Sequence, residues 1–326
     1  MAPEALSPRP EPLPARRFSP HPFPVFAIAP RPRYRRPHVT ESDYELVQVA
    51  SGAWSVRARI EGETFHPVIG PQAEAEALYV RQMQIAARAA AAKREFVVWD
   101  VGLGAAANVL TVLRSLTEVP ARVRIESFDH TAAPLKFALT HASELGYVVG
   151  FEEPIRNLLA HGETRFQHGA CEISWRFHEA DFPTWLASPE TTSVPGPDAI
   201  LFDAFSPARN PAMWTLGIFR GLRRRVPQDA GGTLATYSRS TLLRVTLLLA
   251  GFHVGAGEAT GEKEETTFAA ADPSLVTRPL DATWLGRAFR STSAEPLHDP
   301  VYRQCPLSEE SRKALESHPQ FHPVPA

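Results

Sequence analysis

Short apolar runs alternate with helical patterns over most of the chain. Residues 95–101 (Glu-Phe-Val-Val-Trp-Asp-Val) form a continuous β-rich run, typical of a strand buried on both faces. Further strands are predicted at 50–60, 122–128, 173–177, 199–202 and 232–237, and helices at 73–92, 109–116, 135–145, 213–225 and 242–250. Strands separated by helices predict βαβ units and therefore an α/β fold with a doubly wound, mostly parallel sheet.

The two ends of the chain differ from its centre in proline content. Eleven of the 31 prolines lie in the first 40 residues, interleaved with arginines. Such a segment buries little apolar surface, so 1–40 is predicted to be a disordered tail. Residues 291–326 are again rich in proline and charge and are predicted to form a loosely ordered tail. The segment between them, 41–290, is predicted to be one folded domain.

Charge and cysteine content exclude some classes of protein. The formal net charge of −2 argues against coating nucleic acid through bulk positive charge, although a local basic patch remains compatible with it. Cys171 and Cys305 lie far apart, which disfavours a disulfide framework or a zinc site and fits a reducing cytoplasm. We find no run of about 18 apolar residues, so we expect no membrane span. The oligomeric state has no signature in the sequence.

The first buried strand runs into a glycine turn that extends from Asp100 to Asn108. In a doubly wound sheet, ligands bind beyond the carboxyl ends of the strands. Gly102 and Gly104 allow a tight turn and a close approach of a ligand to the backbone. A dinucleotide-binding turn is the competing interpretation, because Ala107 satisfies its third position. Asp100 favours another ligand, since its carboxylate would repel a pyrophosphate but can pair with the ammonium of a methionine moiety.

Acids also follow the next two predicted strands. Asp129 ends the second strand, about 27 residues after Gly102, where a carboxylate accepts ribose hydroxyls in dinucleotide binders and methyltransferases alike. A helix cap or surface turn is the structural alternative. Glu179 and Asp181 follow the third strand and compete for the exocyclic amine of adenine. We prefer Glu179 because it lies nearer the end of the strand.

The most specific string of the chain follows the fourth strand, at residues 203–214 (Asp-Ala-Phe-Ser-Pro-Ala-Arg-Asn-Pro-Ala-Met-Trp). Prolines such as Pro207 stiffen this loop, and Phe205 and Trp214 offer flat apolar walls. The combination is typical of loops that hold an amine acceptor. Asp203 is the predicted group that accepts a proton from the amine or orients its N–H bond, and Arg209 supplies a positive charge.

In these strings the chain resembles the methyltransferase domain of the MnmC family, bifunctional enzymes that make the methylaminomethyl group on the wobble uridine of tRNA. The similarity runs from about Glu61 to about Phe268 and includes 76–80 (Glu-Ala-Leu-Tyr-Val), 100–108, 203–214 and 231–237 (Gly-Gly-Thr-Leu-Ala-Thr-Tyr). It implies a Rossmann-like class of fold with a last antiparallel strand, S-adenosyl-L-methionine as cofactor and tRNA as partner.

On this resemblance, three groups of site residues are predicted. The catalytic candidates are Asp203 and Glu76. The cofactor-binding candidates are Asp100, Gly102, Gly104, Asn108, Asp129 and Glu179. The substrate-binding candidates are Phe205, Pro207, Arg209 and Trp214, with the aromatic rings stacking on a flipped-out base.

The chain departs from the family pattern in a few places. The family's turn usually opens with Glu and carries a third glycine, where this chain has Asp100 and Ala106, and Arg209 replaces a lysine. No segment resembles the flavin-dependent oxidase half of the bifunctional enzymes. We therefore expect a stand-alone methyltransferase whose aminomethyl uridine is supplied by another protein.

Other interpretations remain at this point. One is a methyltransferase that acts on a small amine or a protein side chain. The second is a nicotinamide-dependent oxidoreductase, which the 203–214 loop disfavours, and the third is a non-catalytic RNA-binding protein, which the retained acids disfavour. A metal enzyme is not expected, because the spacing of the nearby His and Cys residues matches no common site: His161, His168, Cys171 and His178.

Overall fold

The computed structural model describes residues 39–227, 231–261 and 264–322, and its strands form two sheets. The strands are β1 (Tyr44–Gln48), β2 (Trp54–Ala58), β3 (Glu63–Thr64), β4 (Phe96–Val101), β5 (Arg122–Asp129), β6 (Glu163–His168), β7 (Cys171–Glu179), β8 (Ala199–Phe202), β9 (Thr233–Thr236), β10 (His253–Ala256) and β11 (Thr267–Ala270). The first three form a small antiparallel sheet, and the other eight form a central sheet in the order β10-β11-β9-β8-β4-β5-β7-β6.

Most neighbours in the central sheet are parallel. β9, β8, β4, β5 and β7 pair in parallel register, whereas β11 runs antiparallel to both β9 and β10. β6, at the other end of the sheet, runs antiparallel to β7. A mostly parallel sheet in which β11, the last strand, is antiparallel to its neighbours confirms the predicted Rossmann-like α/β fold. Because parallel strands end at the same edge, the residues after β8, β4, β5 and β7 are brought together there.

Helices cover both faces of the central sheet. They are α1 (Pro71–Ala75), a π-helical turn (Glu76–Arg81), α2 (Ile85–Ala91), α3 (Ala107–Ser115), α4 (Ala133–Thr140), α5 (Ala142–Leu145), α6 (Glu152–His161), α7 (Phe182–Ala187), α8 (Leu216–Arg225), α9 (Thr241–Leu249), α10 (Ala282–Ala288) and α11 (Glu309–Glu316). The apolar residues of α1 to α6 belong to one core, and those of α7 to α11 belong to a second core on the other face. This is the layered arrangement that buries both faces of a parallel sheet.

The helix predicted at 73–92 is interrupted. Its first part is α1 followed directly by the π-helical turn, and Gln84 then adopts a left-handed backbone conformation with φ of +50° before α2 begins. The alanine-rich pattern predicted the helical character of the segment but not this break. The π-helical turn packs against both α3 and β9. This brings the segment over the edge of the sheet at which β8, β4, β5 and β7 end, called the site edge below.

The end of the described chain packs more closely than the sequence predicted for 291–326. Leu297 and Leu315 are buried in the second core, and α11 packs against α9. The side chain of Gln320 accepts a hydrogen bond from the backbone N–H of Val254 at 2.7 Å and donates to the carbonyls of Val254 and Leu280. The prediction of a loosely ordered tail is wrong for 291–322, because a few well-spaced apolar residues anchor a mostly charged segment. The predicted tail at 1–40 lies outside the described residues, apart from 39 and 40.

In the part of the chain that the structure describes, every helix is too short or too polar to cross a bilayer.

Candidate active site

Asp100 lies at the centre of the site edge and is almost completely buried. Its Oδ2 accepts a hydrogen bond from the hydroxyl of Ser127 at 2.9 Å, and that hydroxyl also accepts one from the indole N–H of Trp175. Its Oδ1 is buried without a hydrogen-bond partner among the described residues. Burial raises the pKa of Asp100 to about 7, and the negative charges of Asp203 and Asp129 act in the same direction. Asp100 is therefore poised to receive a positively charged or hydrogen-bond-donating ligand group.

The glycine turn after β4 needs its glycines for two different reasons. Gly102 has φ of +96°, and a Cβ there would lie 2.6 Å from the backbone oxygen of Asp203, so the glycine lets the ends of β4 and β8 approach. Gly104 has φ of +51°, donates its N–H to Asp129 Oδ2 at 2.9 Å and faces the ring of Phe65. Gly102 therefore serves the packing of the two strand ends, whereas Gly104 leaves room between the turn and the ring of Phe65.

Ala106 stands where the related family has its third glycine, and the structure shows what this substitution costs. Its backbone is left-handed, with φ of +63°, at the N-terminal end of α3. A left-handed conformation costs an alanine about 1 kcal/mol relative to the right-handed one. The turn into α3 thus forms with alanine in a conformation that glycine adopts more readily.

Asp129 and Glu179 lie side by side at the ends of β5 and β7, as predicted. Asp129 Oδ1 accepts the backbone N–H groups of His130 at 2.7 Å and Thr131 at 3.4 Å, whereas Oδ2 accepts only that of Gly104 among the described residues and can accept a further hydrogen bond. Glu179 Oε1 accepts the N–H of Ala132 at 3.3 Å. Asp181 instead caps α7, accepting from the backbone N–H and the hydroxyl of Thr184. This capping role favours Glu179 over Asp181 as the candidate for adenine.

Asp203 follows β8 and forms a compact polar cluster with two side chains. Its Oδ2 accepts a hydrogen bond from Asn108 Nδ2 at 2.7 Å and lies 3.3 Å from Nε2 of His66. The same His66 nitrogen lies 3.0 Å from Asn108 Oδ1. Asn108 was predicted to bind the cofactor, but both ends of its amide are engaged here. In the structure Asn108 holds Asp203, and its contact with the cofactor stays a prediction.

Glu76, the second catalytic candidate, is half-buried on the π-helical turn. The acid whose charge acts on the Asp203 cluster is Glu74, two residues earlier and 6% exposed. Its charge raises the pKa values of His66 and Tyr79. Glu74 is therefore the stronger candidate of the two, and the helical pattern alone gave no means of distinguishing them.

Two tyrosines complete the surroundings of Asp203, and the sequence analysis missed both as site residues. The hydroxyl of Tyr79 is fully buried and lacks a hydrogen-bond partner in the described chain, whereas that of Tyr237 donates to the carbonyl of Ala204 at 3.1 Å. Burial, followed by the charge of Asp203, raises the pKa of each tyrosine well above its usual range. Both therefore remain neutral hydrogen-bond donors at physiological pH.

The 203–214 loop has one face towards the site and one towards the core. Phe205 is half-buried and packs against Phe65, with ring centroids 5.8 Å apart. Pro207 is half-buried, and the side chain of Arg209 is 59% exposed. Ser206 donates its hydroxyl to Glu63 Oε1 at 2.7 Å, which ties the loop to β3.

Trp214 does not offer a wall to an acceptor, contrary to the prediction. It is fully buried in the second core, packs edge-on against Phe202 and donates its indole N–H to the carbonyl of Phe205 at 2.7 Å. Its ring also lies against those of Phe219 and Tyr237. Trp214 therefore fixes the position of Phe205, which leaves Phe205 as the aromatic candidate for contact with a substrate.

The class of this protein follows from the fold and site together with a family model. Residues 171–272 match the model of a family described as S-adenosyl-L-methionine-dependent methyltransferase. The match extends from β7 through β11 and includes the 203–214 loop. The chain carries an S-adenosyl-L-methionine-dependent methyltransferase domain, as predicted.

Individual relatives define the domain more closely. The chain is 32% identical to the tRNA 5-methylaminomethyl-2-thiouridine biosynthesis bifunctional protein MnmC of Ralstonia nicotianae over 187 residues, which cover 55% of this chain and 27% of that protein. It is 28% identical to the MnmC protein of Methylibium petroleiphilum over 246 residues, covering 72% of this chain and 36% of that protein. The domain is MnmC-like, and the chain spans about a third of the length of these curated relatives.

A solved structure agrees with the fold. The crystal structure of MNMC2 from Aquifex aeolicus superposes with a TM-score of 0.63 at 22% sequence identity, covering 88% of this chain and 86% of that one. At this level of identity the likeness concerns the fold alone.

The residues at the site edge fit the cofactor of this class. Buried polar side-chain atoms without a hydrogen-bond partner are rare in folded proteins. Three such atoms in the described chain belong to Asp100, His66 and Tyr79. Asp100 suits the ammonium of the methionine moiety, and Asp129 suits the ribose hydroxyls. The arrangement of acids thus matches a ligand that carries one amino group and one ribose.

No group of three or more His, Cys, Asp or Glu side chains is arranged to hold a metal ion within the described ranges. The His and Cys residues that cluster in sequence make other contacts: His168 lies 2.9 Å from the hydroxyl of Thr117, and His178 lies 2.5 Å from Glu126.

Proposed function

We propose that this chain transfers the methyl group of S-adenosyl-L-methionine to the primary amine of an aminomethyl group on the wobble uridine of tRNA. The observation that carries the proposal is the Asp203 cluster beside the cofactor-binding acids, with Phe205 at its edge. The cited MnmC relatives are named for this modification pathway. The proposal includes 41–290 as the core of the catalytic domain and a cytoplasmic location, where tRNA is modified.

The chemical task of the chain is to present a neutral amine. The bound cofactor supplies an electrophilic methyl carbon on a sulfonium. The acceptor nitrogen forms a bond to that carbon while the carbon–sulfur bond breaks, and the positive charge passes to nitrogen. A primary aliphatic amine arrives mostly protonated, so one proton must leave it first. Asp203 accepts that proton and passes it to solvent, and such positioned proton transfer contributes about 10²–10⁴-fold to rate.

Acceptor binding follows from the loop. Phe205 presents an apolar ring at the site edge, and single bases that are turned out of an RNA loop commonly stack on such rings. Arg209 is exposed and lies 4.0 Å from Glu63, so its guanidinium can turn towards a phosphate of the anticodon loop. Together they supply a stacking surface and a positive charge on the same short loop.

A second candidate acceptor is a small aliphatic amine or a lysine side chain. It is favoured because the chain has no excess of positive charge that would attract RNA: the formal net charge is −2, and two arginines of α8 form hydrogen bonds within the protein. Arg223 donates to the carbonyl of Gly251, and Arg225 donates to the carbonyls of Thr191 and Val194. The acids around Asp203 would attract any cationic amine.

Transfer of labelled methyl to tRNA separates these candidates. We expect tRNA from cells that make the aminomethyl uridine but cannot methylate it to gain one methyl group per molecule, found at the wobble nucleoside by mass spectrometry. Matched tRNA from cells that also lack the aminomethyl step should gain none. Equal labelling of both tRNAs, or labelling only of small amines and protein, would contradict the proposal. Binding of tRNA without any transfer would favour a non-catalytic role.

A further inference from the structure

His66 occupies a constrained position beside the candidate catalytic acid. Its side chain is 9% exposed, and its backbone is left-handed with φ of +51°, which is uncommon for a residue other than glycine. The residue follows Phe65, the ring that packs against Phe205 and faces Gly104. Backbone strain of this kind persists where the surrounding structure requires it, often at functional sites.

The hydrogen-bond network fixes which nitrogen of His66 carries a proton. Asn108 donates its Nδ2 to Asp203, so the Oδ1 of Asn108 faces His66 as an acceptor. Asp203 Oδ2, the other atom near Nε2, is also an acceptor. Nε2 must therefore be protonated in both charge states of the ring, and any second proton resides on Nδ1. Nδ1 is buried and makes no hydrogen bond within the described part of the chain.

Three side chains from different parts of the fold act on His66, two of them charged. Asp203 follows β8, Glu74 lies on α1, and Asn108 on α3 adds a neutral hydrogen bond. Burial alone lowers the pKa of His66, but the hydrogen bond and charge of Asp203 and the charge of Glu74 outweigh it and raise that pKa to about 9. The ring is accordingly cationic at neutral pH and faces two acids.

We propose that His66 is a positioning residue for methyl transfer, which acts through Asp203 as its buried ion-pair partner. Together with Asn108 it fixes the orientation of the Asp203 carboxylate, and its positive charge keeps that carboxylate ionised as the acceptor amine enters. This inference rests on the proposed role of Asp203 in the transfer. Asp203 and Asp100 are close enough for the charge of Asp203 to raise the pKa of Asp100, so without the imidazolium the like charge of Asp100 would favour protonation of Asp203.

The pairing is tested without any substrate by nuclear magnetic resonance of ¹⁵N-labelled histidine. We expect one imidazole to stay protonated up to about pH 9 and to be missing from the spectrum of His66→Gln. In Asp203→Asn the pKa of that imidazole should fall by about 2 units, because its main counter-charge is gone. If the His66 imidazole titrates near its ordinary pKa, or if its pKa is the same in Asp203→Asn, the pairing is wrong.

The positioning role is tested by the pH profile of kcat for the acceptor that the chain methylates. His66→Gln keeps a nitrogen donor near Asp203 but removes the charge, so the acidic limb of the profile should move up by about 1–2 pH units. KM for the acceptor should change less than kcat at pH 7. His141→Gln is the matched control and should leave the profile unchanged, because His141 lies between α4 and α5, where its Nδ1 is 3.5 Å from Glu144.

A uniform loss of kcat without movement of the acidic limb would mean that His66 is merely structural. Melting temperature and affinity for S-adenosyl-L-homocysteine establish that His66→Gln is folded. If tRNA is not methylated but His66 titrates as expected, the proposed acceptor is wrong while the ion pair stands, so the two failures are distinguishable.

Discussion

Asp203→Asn should reduce methyl transfer by about 10²–10⁴-fold while affinity for S-adenosyl-L-homocysteine stays within a few-fold. Asparagine has the same shape as aspartate and can still accept the hydrogen bond that Asn108 donates. It cannot accept a proton from an ammonium. The loss should therefore appear in kcat under saturating acceptor and cofactor, measured with radiolabelled methyl donor.

Asp299→Asn is a suitable control for this variant, because Asp299 forms an exposed ion pair with Arg303 on the surface. It should leave both turnover and cofactor affinity unchanged. Turnover of Asp203→Asn close to that of the unmodified protein would remove Asp203 from the chemistry. A parallel loss of cofactor affinity would mean instead that Asp203 serves mainly to bind the cofactor.

Gly104→Val should abolish measurable cofactor binding in a chain that still folds. Valine is strained at φ of +51°, and its Cβ would lie 3.3 Å from the ring of Phe65, so the added methyl groups must displace that ring or the turn. The turn also presents the Gly104 N–H to Asp129. Saturating S-adenosyl-L-homocysteine, which raises the melting temperature of a protein that binds it, should leave that of Gly104→Val unchanged.

Gly146→Val is the matched control for backbone strain. Gly146 also has a left-handed backbone, with φ of +67°, but an added Cβ there would meet no atom within 4 Å. We expect this variant to lose some stability and yet to be stabilised by S-adenosyl-L-homocysteine as much as the unmodified protein. Equal stabilisation of Gly104→Val would show that the turn does not approach the cofactor.

The strand ends were predictable because continuous apolar runs mark strands that are buried on both faces. The run at 199–202 coincides with β8, and Asp100, Asp129 and Asp203 follow from the rule that parallel strands end at one edge. The pattern fails at the sheet's margins. β6 and α6 were not among the predicted elements, although Ile155 and Leu158 of α6 lie in the first core.

Side-chain partners at the site could not be predicted, because they join residues that are distant along the chain. Asp203 and Asn108 are 95 positions apart, and His66 and Asn108 are 42 apart. His66 lies outside any periodic element, so nothing in its neighbourhood indicated a role. Trp214 shows the converse error: an aromatic residue in a specific loop motif indicates importance, but burial decides whether its ring faces a ligand or the core.

The central claim is that Asp100 receives the amino group of the cofactor at the edge of the sheet. In the free protein, burial raises the pKa of Asp100 to about 7, so the carboxyl is largely protonated below that pH. A bound ammonium lowers this pKa, so that binding releases the proton and affinity rises as the pH increases towards 7.

Calorimetric titration with S-adenosyl-L-homocysteine, in buffers of different ionisation enthalpy, measures that proton directly. We expect one site per chain and the release of most of a proton at about pH 6, falling towards none at about pH 8.5, with no such pH dependence in Asp100→Asn. Absence of binding, or binding with the same proton release at both pH values, would contradict the central claim.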